Sequence, residues 1–279
     1  MIVDFHTHTF PDRIAAAAIG KLQQASHSMA FTDGTVSGLQ ASMQRAGIDW
    51  SVVLPVATNP VKVSSMNDLS VQLTGKDGLV YFGCIHPEME GAEAELARIA
   101  SLGLKGVKIH PVYQGVDIDD ARFVRILAKA GELGLTVVMH AGDDIGFPGV
   151  VRCSPEMIRH ALHMAGPVRL ICAHMGGWRN WERVAECLAD TSVMLDTAFS
   201  LGEITPLEQG YYTPEQLHML DAEAFCQLVK AFGAGRIVFG TDCPWADQQS
   251  SLEQVRQLPL AEDERQAILG GNAARLLGL

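Results

Sequence analysis

With 279 residues, 48% of them hydrophobic, and a formal charge of −11, the chain can bury a large core and lacks the basic surface that a nucleic-acid backbone needs. No apolar run approaches the roughly 18 residues of a membrane span. The N-terminus has no basic region followed by an apolar one, and a first strand starting at Ile2 leaves no room for a cleaved leader. The six cysteines form no CxxC pair and suit reduced thiols, so a cytoplasmic protein is expected.

The chain opens on an apolar run, Ile2 to Phe5, that reads as a buried strand. Side chains alternate along a strand, so His6 and His8 share a face with Asp4 below them. Ile14 to Gln24 has a helical pattern, residues 25 to 38 read as loop, and Leu39 to Ala46 is a short helix ending at Gly47. Trp50 to Val56 is a continuous apolar strand, Ser64 to Thr74 a helix, and Leu79 to Ile85 a strand closed by His86-Pro87.

The alternation then continues. Helices are expected at Glu93–Leu102, Asp119–Leu133, Pro155–Met164 and Trp181–Leu188, with a long one at Pro214–Phe232. Strands are expected at Gly106–His110, Thr136–His140, Val168–His174, Ser192–Thr197 and Arg236–Thr241. Helical segments at about Leu252–Gln257 and Glu262–Leu277 close the chain. Ser154 is suited to N-cap the Pro155 helix, with proline at its first position. Eight strands each followed by helix, with no compositional break, predict an α/β fold in which residues 1–279 form a single (β/α)8 TIM barrel. The alternative, an open doubly wound sheet, would need a glycine-rich loop where the chain has His6-Thr7-His8-Thr9.

In such a barrel the chemistry sits at the C-terminal ends of strands. Those ends carry His6 and His8, His86, Lys108 and His110, His140, His174 and Asp242. A ring of polar groups drawn from separate strands is too costly to be core packing, and imidazoles with carboxylates are the ligands that zinc prefers.

His6-Thr7-His8, Lys108-Ile109-His110-Pro111, His140-Ala141-Gly142, Ala173-His174-Met175-Gly176-Gly177, Gly240-Thr241-Asp242 and the ending Gly271-Asn272-Ala273-Ala274-Arg275-Leu276-Leu277 together resemble the amidohydrolase superfamily. The likeness is to its amidohydrolase-related branch, which includes aminocarboxymuconate semialdehyde decarboxylase-like enzymes. The resemblance implies that His6, His8, His140 and Asp242 hold a divalent metal. It makes His174 either a further ligand or a donor to the metal-bound water and the substrate. A cation with an open position lowers the pKa of bound water to about 7, and Asp242 could then accept and pass on its proton.

Several strand-end and loop residues stay open. Lys108 lies one layer below His110, where it pairs with an acid such as Asp4 or, as in some relatives, is carboxylated and bridges two metals; the salt bridge, and so one zinc per chain, is the expectation. His86 and His110 line a substrate pocket or merely cap their strands. Arg152 and Arg179 could clamp a substrate carboxylate. The loops 25–38, 145–154 and 199–212 are long enough to be lids, and the apolar groups of the last, among them Phe199 and Tyr211, would equally suit a homodimer contact. The leading expectation is a metal-dependent hydrolase of a small amide, lactone or ester. A metal-dependent decarboxylase, a lyase of a small unsaturated or aromatic carboxylic acid, is the alternative. A TatD-like nuclease fits less well, because the chain has Lys108-Ile109-His110-Pro111 where that family has a glutamate.

Overall fold

A computed structural model describes all 279 residues. The strands, in chain order, are β1 (Val3–Thr7), β2 (Trp50–Val53), β3 (Leu79–Tyr81), β4 (Gly83–Cys84), β5 (Gly106–Ile109), β6 (Thr136–Met139), β7 (Arg169–Cys172), β8 (Met194–Asp196) and β9 (Ile237–Val238), with helices between them. The chain divides into two compact units. One is built from Met1–Ser51, Ile145–Pro148 and Asp196–Leu279, the other from Val52–Asp144 and Gly149–Leu195. No helix is long and apolar enough to cross a membrane.

In the first unit β1 is buried along its whole length, as its apolar sequence demands. Its backbone runs beside the segment that follows β9: Phe5 N donates to Phe239 O at 2.7 Å, Asp242 N to His6 O at 2.8 Å, and His8 N to Cys243 O at 2.7 Å. Thr197 N donates to Val238 O at 3.1 Å, so the end of β8 lies on the other side of β9. Gly240 is required here for close approach. A Cβ on it would stand 2.8 Å from His6 Cβ, inside van der Waals contact.

In the second unit β4, β5, β6, β7 and β8 are neighbours in that order. Each adjacent pair is parallel, for instance with Lys108 beside Val138 and Met139 beside Cys172. These are the buried, β-branched runs that parallel sheets require.

Where sequence and structure differ, local chemistry explains the change. The single strand expected over 79–85 is broken at Phe82, whose N–H donates to Val53 O while Cys84 turns to β5. The long helix expected over 214–232 is two, Pro214–Leu217 and Ala222–Phe232. Asp221 interrupts it, because its side chain caps the second piece by accepting from Ala224 N at 2.8 Å. The helix expected from Leu39 starts earlier, at Val36, because Thr35 accepts from Gly38 N. Ser154 caps its helix as expected, with Pro155 at the first position.

Cys84 is held on one side by a side chain. The buried Asn67 accepts from Cys84 N at 2.7 Å and donates to Cys84 O at 3.1 Å, occupying both groups as a neighbouring strand would. The same amide donates to Glu95 at 2.7 Å, and Glu95 takes two further bonds from Arg98. Asn67→Leu keeps the volume but leaves these buried groups unpaired, at about 1–3 kcal/mol for each. Thermal melting should show a clear fall in stability, and an unchanged transition would refute the assignment. The Arg98 hydrogen bonds hold the Glu95 carboxyl below its ordinary 4.5. A pKa lowered by folding stabilises the native state above the unfolded value, and that stabilisation is lost as the pH falls through the folded value. Stability should therefore be flat in this term from pH 7 to 5 and fall below about 4.5, more steeply in wild type than in Glu95→Gln.

Candidate metal centre

The first unit brings His6, His8 and Asp242 together. His6 Nε2 is 3.4 Å and His8 Nε2 3.1 Å from Asp242 Oδ1, and the three potential ligand atoms all lie within 4.8 Å of one another. The alternation of β1 puts both imidazoles on one face, and the hydrogen bond from Asp242 N to His6 O fixes the carboxylate opposite them. Asp242 is in the left-handed region, φ 68°, a conformation aspartate tolerates better than most residues.

What orients His6 is a residue that was not singled out from the sequence. Asp196, the last residue of β8, is fully buried, and its Oδ2 lies 2.7 Å from His6 Nδ1. Its other oxygen accepts from Ala198 N at 3.1 Å. A carboxylate only accepts, so the proton of His6 sits on Nδ1 and Nε2 is left with a lone pair facing Asp242 and His8. A metal-binding histidine is commonly oriented by just such a carboxylate on its second nitrogen. The donor set therefore fits a divalent cation: two neutral imidazole nitrogens and a carboxylate oxygen, in a pocket that removes them largely from water. The sequence signal was present, since Asp196 ends an apolar run as the histidines do.

Beneath this group, burial pushes the Asp4 carboxyl up to about 7 against the pull of its hydrogen bonds. Thr241 Oγ1 donates to it at 2.6 Å and Gln248 Nε2 at 2.7 Å. Thr241 N and His6 N add two more. Asp4 thus ties β1 to the residue preceding Asp242.

The second unit gathers His110, His140, Asp144 and His174. The His110 and His140 rings stack at 4.1 Å and 11°. His110 Nε2 is 3.4 Å and His140 Nε2 3.8 Å from Asp144 Oδ2. His140 Nε2 also lies 2.9 Å from Asp143 O, and its Nδ1 3.0 Å from His174 Nε2. Burial holds the His140 pKa well below its ordinary value, helped by the neighbouring imidazoles of His110 and His174 and by Lys108.

The backbone places each member. Gly142 has φ 85°, and a Cβ there would strike Trp178 N at 2.3 Å. This close approach lets Asp143 N donate to Trp178 O. His174 and Met175 are both left-handed, and Trp181 Nε1 donates to His174 O at 2.9 Å. Gln114 steadies His110: its Oε1 accepts from His110 N at 2.9 Å, and its Nε2 donates to Ala57 O and Ile85 O.

The remaining candidates divide. Lys108 is buried one residue behind the end of β5. His86 is buried with its Nδ1 accepting from Glu88 N at 3.2 Å, which is a strand-end cap. Arg152 is paired with Asp117 at 2.7 Å. Arg179 lies over the Trp178 ring at 4.7 Å. Two of the expected lids are joined: Met29 N donates to Thr205 O, Leu207 N to His27 O, and the His27 and Tyr211 rings stack at 3.5 Å. Phe31 and Phe199 from these loops wall a cavity of about 190 Å³ that Gly240, Trp245 and Asp247 also line.

Comparison with known proteins bears on the family and the fold. A family model described as amidohydrolase matches residues 3–279. The chain is 24% identical over 239 residues to 2-amino-3-carboxymuconate-6-semialdehyde decarboxylase of Dictyostelium discoideum, a match covering 77% of this chain and 66% of that protein, just under two thirds of its length. An uncharacterised TIM-barrel protein of Bordetella bronchiseptica superposes with a TM-score of 0.75 at 20% identity, covering 99% of this chain and 98% of the other. The 5-carboxyvanillate decarboxylase of Sphingomonas paucimobilis superposes with a TM-score of 0.71 at 14% identity, covering 100% and 99%. These likenesses show the fold to be of the TIM-barrel type, as the alternation of strands and helices predicts.

Asp196→Asn tests the orienting bond. Loss of a partner to a ligating histidine typically costs 10–100-fold in metal affinity, so a zinc titration followed by calorimetry should show a fall of about that size with the melting profile retained. Equal affinity in the two proteins would mean that Asp196 does not orient a ligand.

Proposed function

The chain belongs to the amidohydrolase family, and from that premise we propose that it is a metal-dependent decarboxylase, a lyase of a small aromatic or unsaturated carboxylic acid. The observation that carries the metal site is the convergence of His6, His8 and Asp242, with His6 held by Asp196. These three residues would hold the ion, and the ligand types favour zinc. The order of the motif along the chain nominates His140 and His174 as further ligands.

A bound divalent cation supplies positive charge that attracts a carboxylate and stabilises negative charge as it develops. The protein's own groups do the rest. Decarboxylation breaks a C–C bond, CO2 leaves, and the electron pair stays on the carbon, which must then take up a proton. Asp242, whose Oδ1 lies 3.1 Å from His8 Nε2 and 3.4 Å from His6 Nε2, supplies that proton, and His174 donates a hydrogen bond to the substrate. Burial of His6 and Asp242 keeps competing water scarce and strengthens each of these interactions.

Hydrolysis of an amide, lactone or ester would use the same residues. Most relatives of named activity are decarboxylases, among them the curated relative and the Sphingomonas structure, with hydrolases in the minority, and this favours decarboxylation over that first expectation. The substrate is a small molecule, in keeping with the acidic charge.

A screen of aromatic and unsaturated carboxylic acids against small amides and lactones, run with wild type and Asp242→Asn side by side, separates the two reactions. The expected result is CO2 release by wild type, reduced by a factor of about 10² or more in the nearly isosteric variant through lost proton transfer. Incorporation of ¹⁸O from water into the product of an amide or lactone, without CO2, would instead identify a hydrolase.

A further inference from the structure

The fully buried carboxylate of Asp4 receives four hydrogen bonds, two on each oxygen. Its Oδ1 accepts from His6 N at 3.2 Å and Thr241 N at 3.0 Å, and its Oδ2 from Thr241 Oγ1 at 2.6 Å and Gln248 Nε2 at 2.7 Å. The Thr241 hydroxyl in turn accepts from Cys243 N at 3.1 Å. Asp242 is therefore clasped through both of its chain neighbours, and the same carboxylate holds the amide of His6. We infer that Gln248 is a positioning residue of this centre, acting through Asp4 on the spacing and aim of His6 and Asp242. The inference rests on the reading of His6, His8 and Asp242 as metal ligands.

Three of the four donors belong to His6 and Thr241, the segments being positioned. Gln248 alone comes from elsewhere, as the first residue of the helix Gln248–Gln257. A carboxylate held only by the groups it orients is free to turn with them about its Cβ–Cγ bond, whereas the fourth bond fixes its plane relative to that helix. The helix start is itself pinned, because Asp247 Oδ1 accepts from Ser250 N and from Ser250 Oγ, both at 2.9 Å. From Cys243 N through the Thr241 hydroxyl to Asp4 the donors run in series, an arrangement in which each bond strengthens the next. Asp242, left-handed at φ 68° between Thr241 and Cys243, sits inside this clasp.

Packing alone does not account for an amide at position 248. The side chain is fully buried, and its Oε1 has no hydrogen-bond partner. A buried carbonyl oxygen without a donor is destabilising, and an apolar side chain of the same length would avoid it. Nε2 reaches Ser51 Oγ only at 3.4 Å, the long limit of a hydrogen bond, so the amide is aimed at Asp4. What the amide adds over an apolar residue is that one short bond.

Gln248→Met keeps the length of the side chain and removes the donor. Zinc affinity, measured by competition with a chromophoric chelator, and the visible absorption of the cobalt(II) form are compared in wild type, Gln248→Met, Asp4→Ala and the double variant. Gln248→Met should lose about tenfold in affinity, the lower end of what removing a group behind a ligand costs, and its cobalt bands should shift. In the Asp4→Ala background the same substitution should cause no further loss, because the route to the ligands is already cut. Asn67→Leu, destabilised through the separate network around Cys84, should keep wild-type affinity and spectrum, so a general loss of stability does not imitate the effect. Circular dichroism checks folding, and Gln248→Leu takes the place of Gln248→Met if that variant does not fold. Wild-type affinity and spectrum in the Gln248 variant, or an equal loss with and without the Asp4 carboxylate, would overturn the inference and leave the metal centre standing. Zinc binding that His8→Gln does not weaken would overturn the metal centre, and the role of Gln248 with it.

Discussion

The hydrogen bond between Asp196 and His6 is the constraint on which the first unit's site depends. At 2.7 Å between two fully buried groups, it fixes both the proton and the orientation of the imidazole. Without it His6 could present either nitrogen, and the lone pair that faces Asp242 and His8 would be lost for part of the time. The bond also explains why β8 and β1 must be held in register through β9. The Val238 and Phe239 carbonyls receive the amides of Thr197 and Phe5. Packing of an apolar sheet and positioning of a ligand are here one and the same set of interactions.

The price of that geometry is local strain placed where the chemistry is. Asp242, His174 and Met175 all have positive φ, a region that costs an L-residue about 1–2 kcal/mol. Two of them are held by hydrogen bonds. Asp242 N is bound to His6 O and its own carbonyl accepts from Trp245 N, while His174 O accepts from the Trp181 indole. Strained residues at strand ends, over-determined by their surroundings, are a usual feature of preorganised sites.

Much of the fold was legible in the sequence because parallel strands buried on both faces are written as apolar runs, and their ends as the polar residue that follows. His6, His8, His110, His140, His174 and Asp242 all carry that signature, and the structure sets them at or just beyond strand ends in two groups. Asp196 carries it too, yet an acid after a short apolar run is so common in loops that nothing marked it as a histidine's partner. Asp144 was less legible still. It lies in a turn four residues past His140, where no helical or strand period operates, and only the Gly142 approach to Trp178 brings it back toward the histidines. The break at Phe82 depends on a side chain, Asn67, replacing a strand neighbour from 17 residues away in sequence. The split at Asp221 reflects a cap that competes with a helix whose apolar pattern runs through it.

The central claim is that His6, His8 and Asp242 hold a metal. An anomalous difference map from crystals of the zinc-loaded protein, collected on both sides of the zinc absorption edge, examines it most directly. The account predicts a peak about 2.0–2.2 Å from His6 Nε2, His8 Nε2 and an Asp242 oxygen, with Asp196 still bonded to His6 Nδ1. A map with no peak between these three residues, or with His6 turned so that Nδ1 faces the ion, would contradict it.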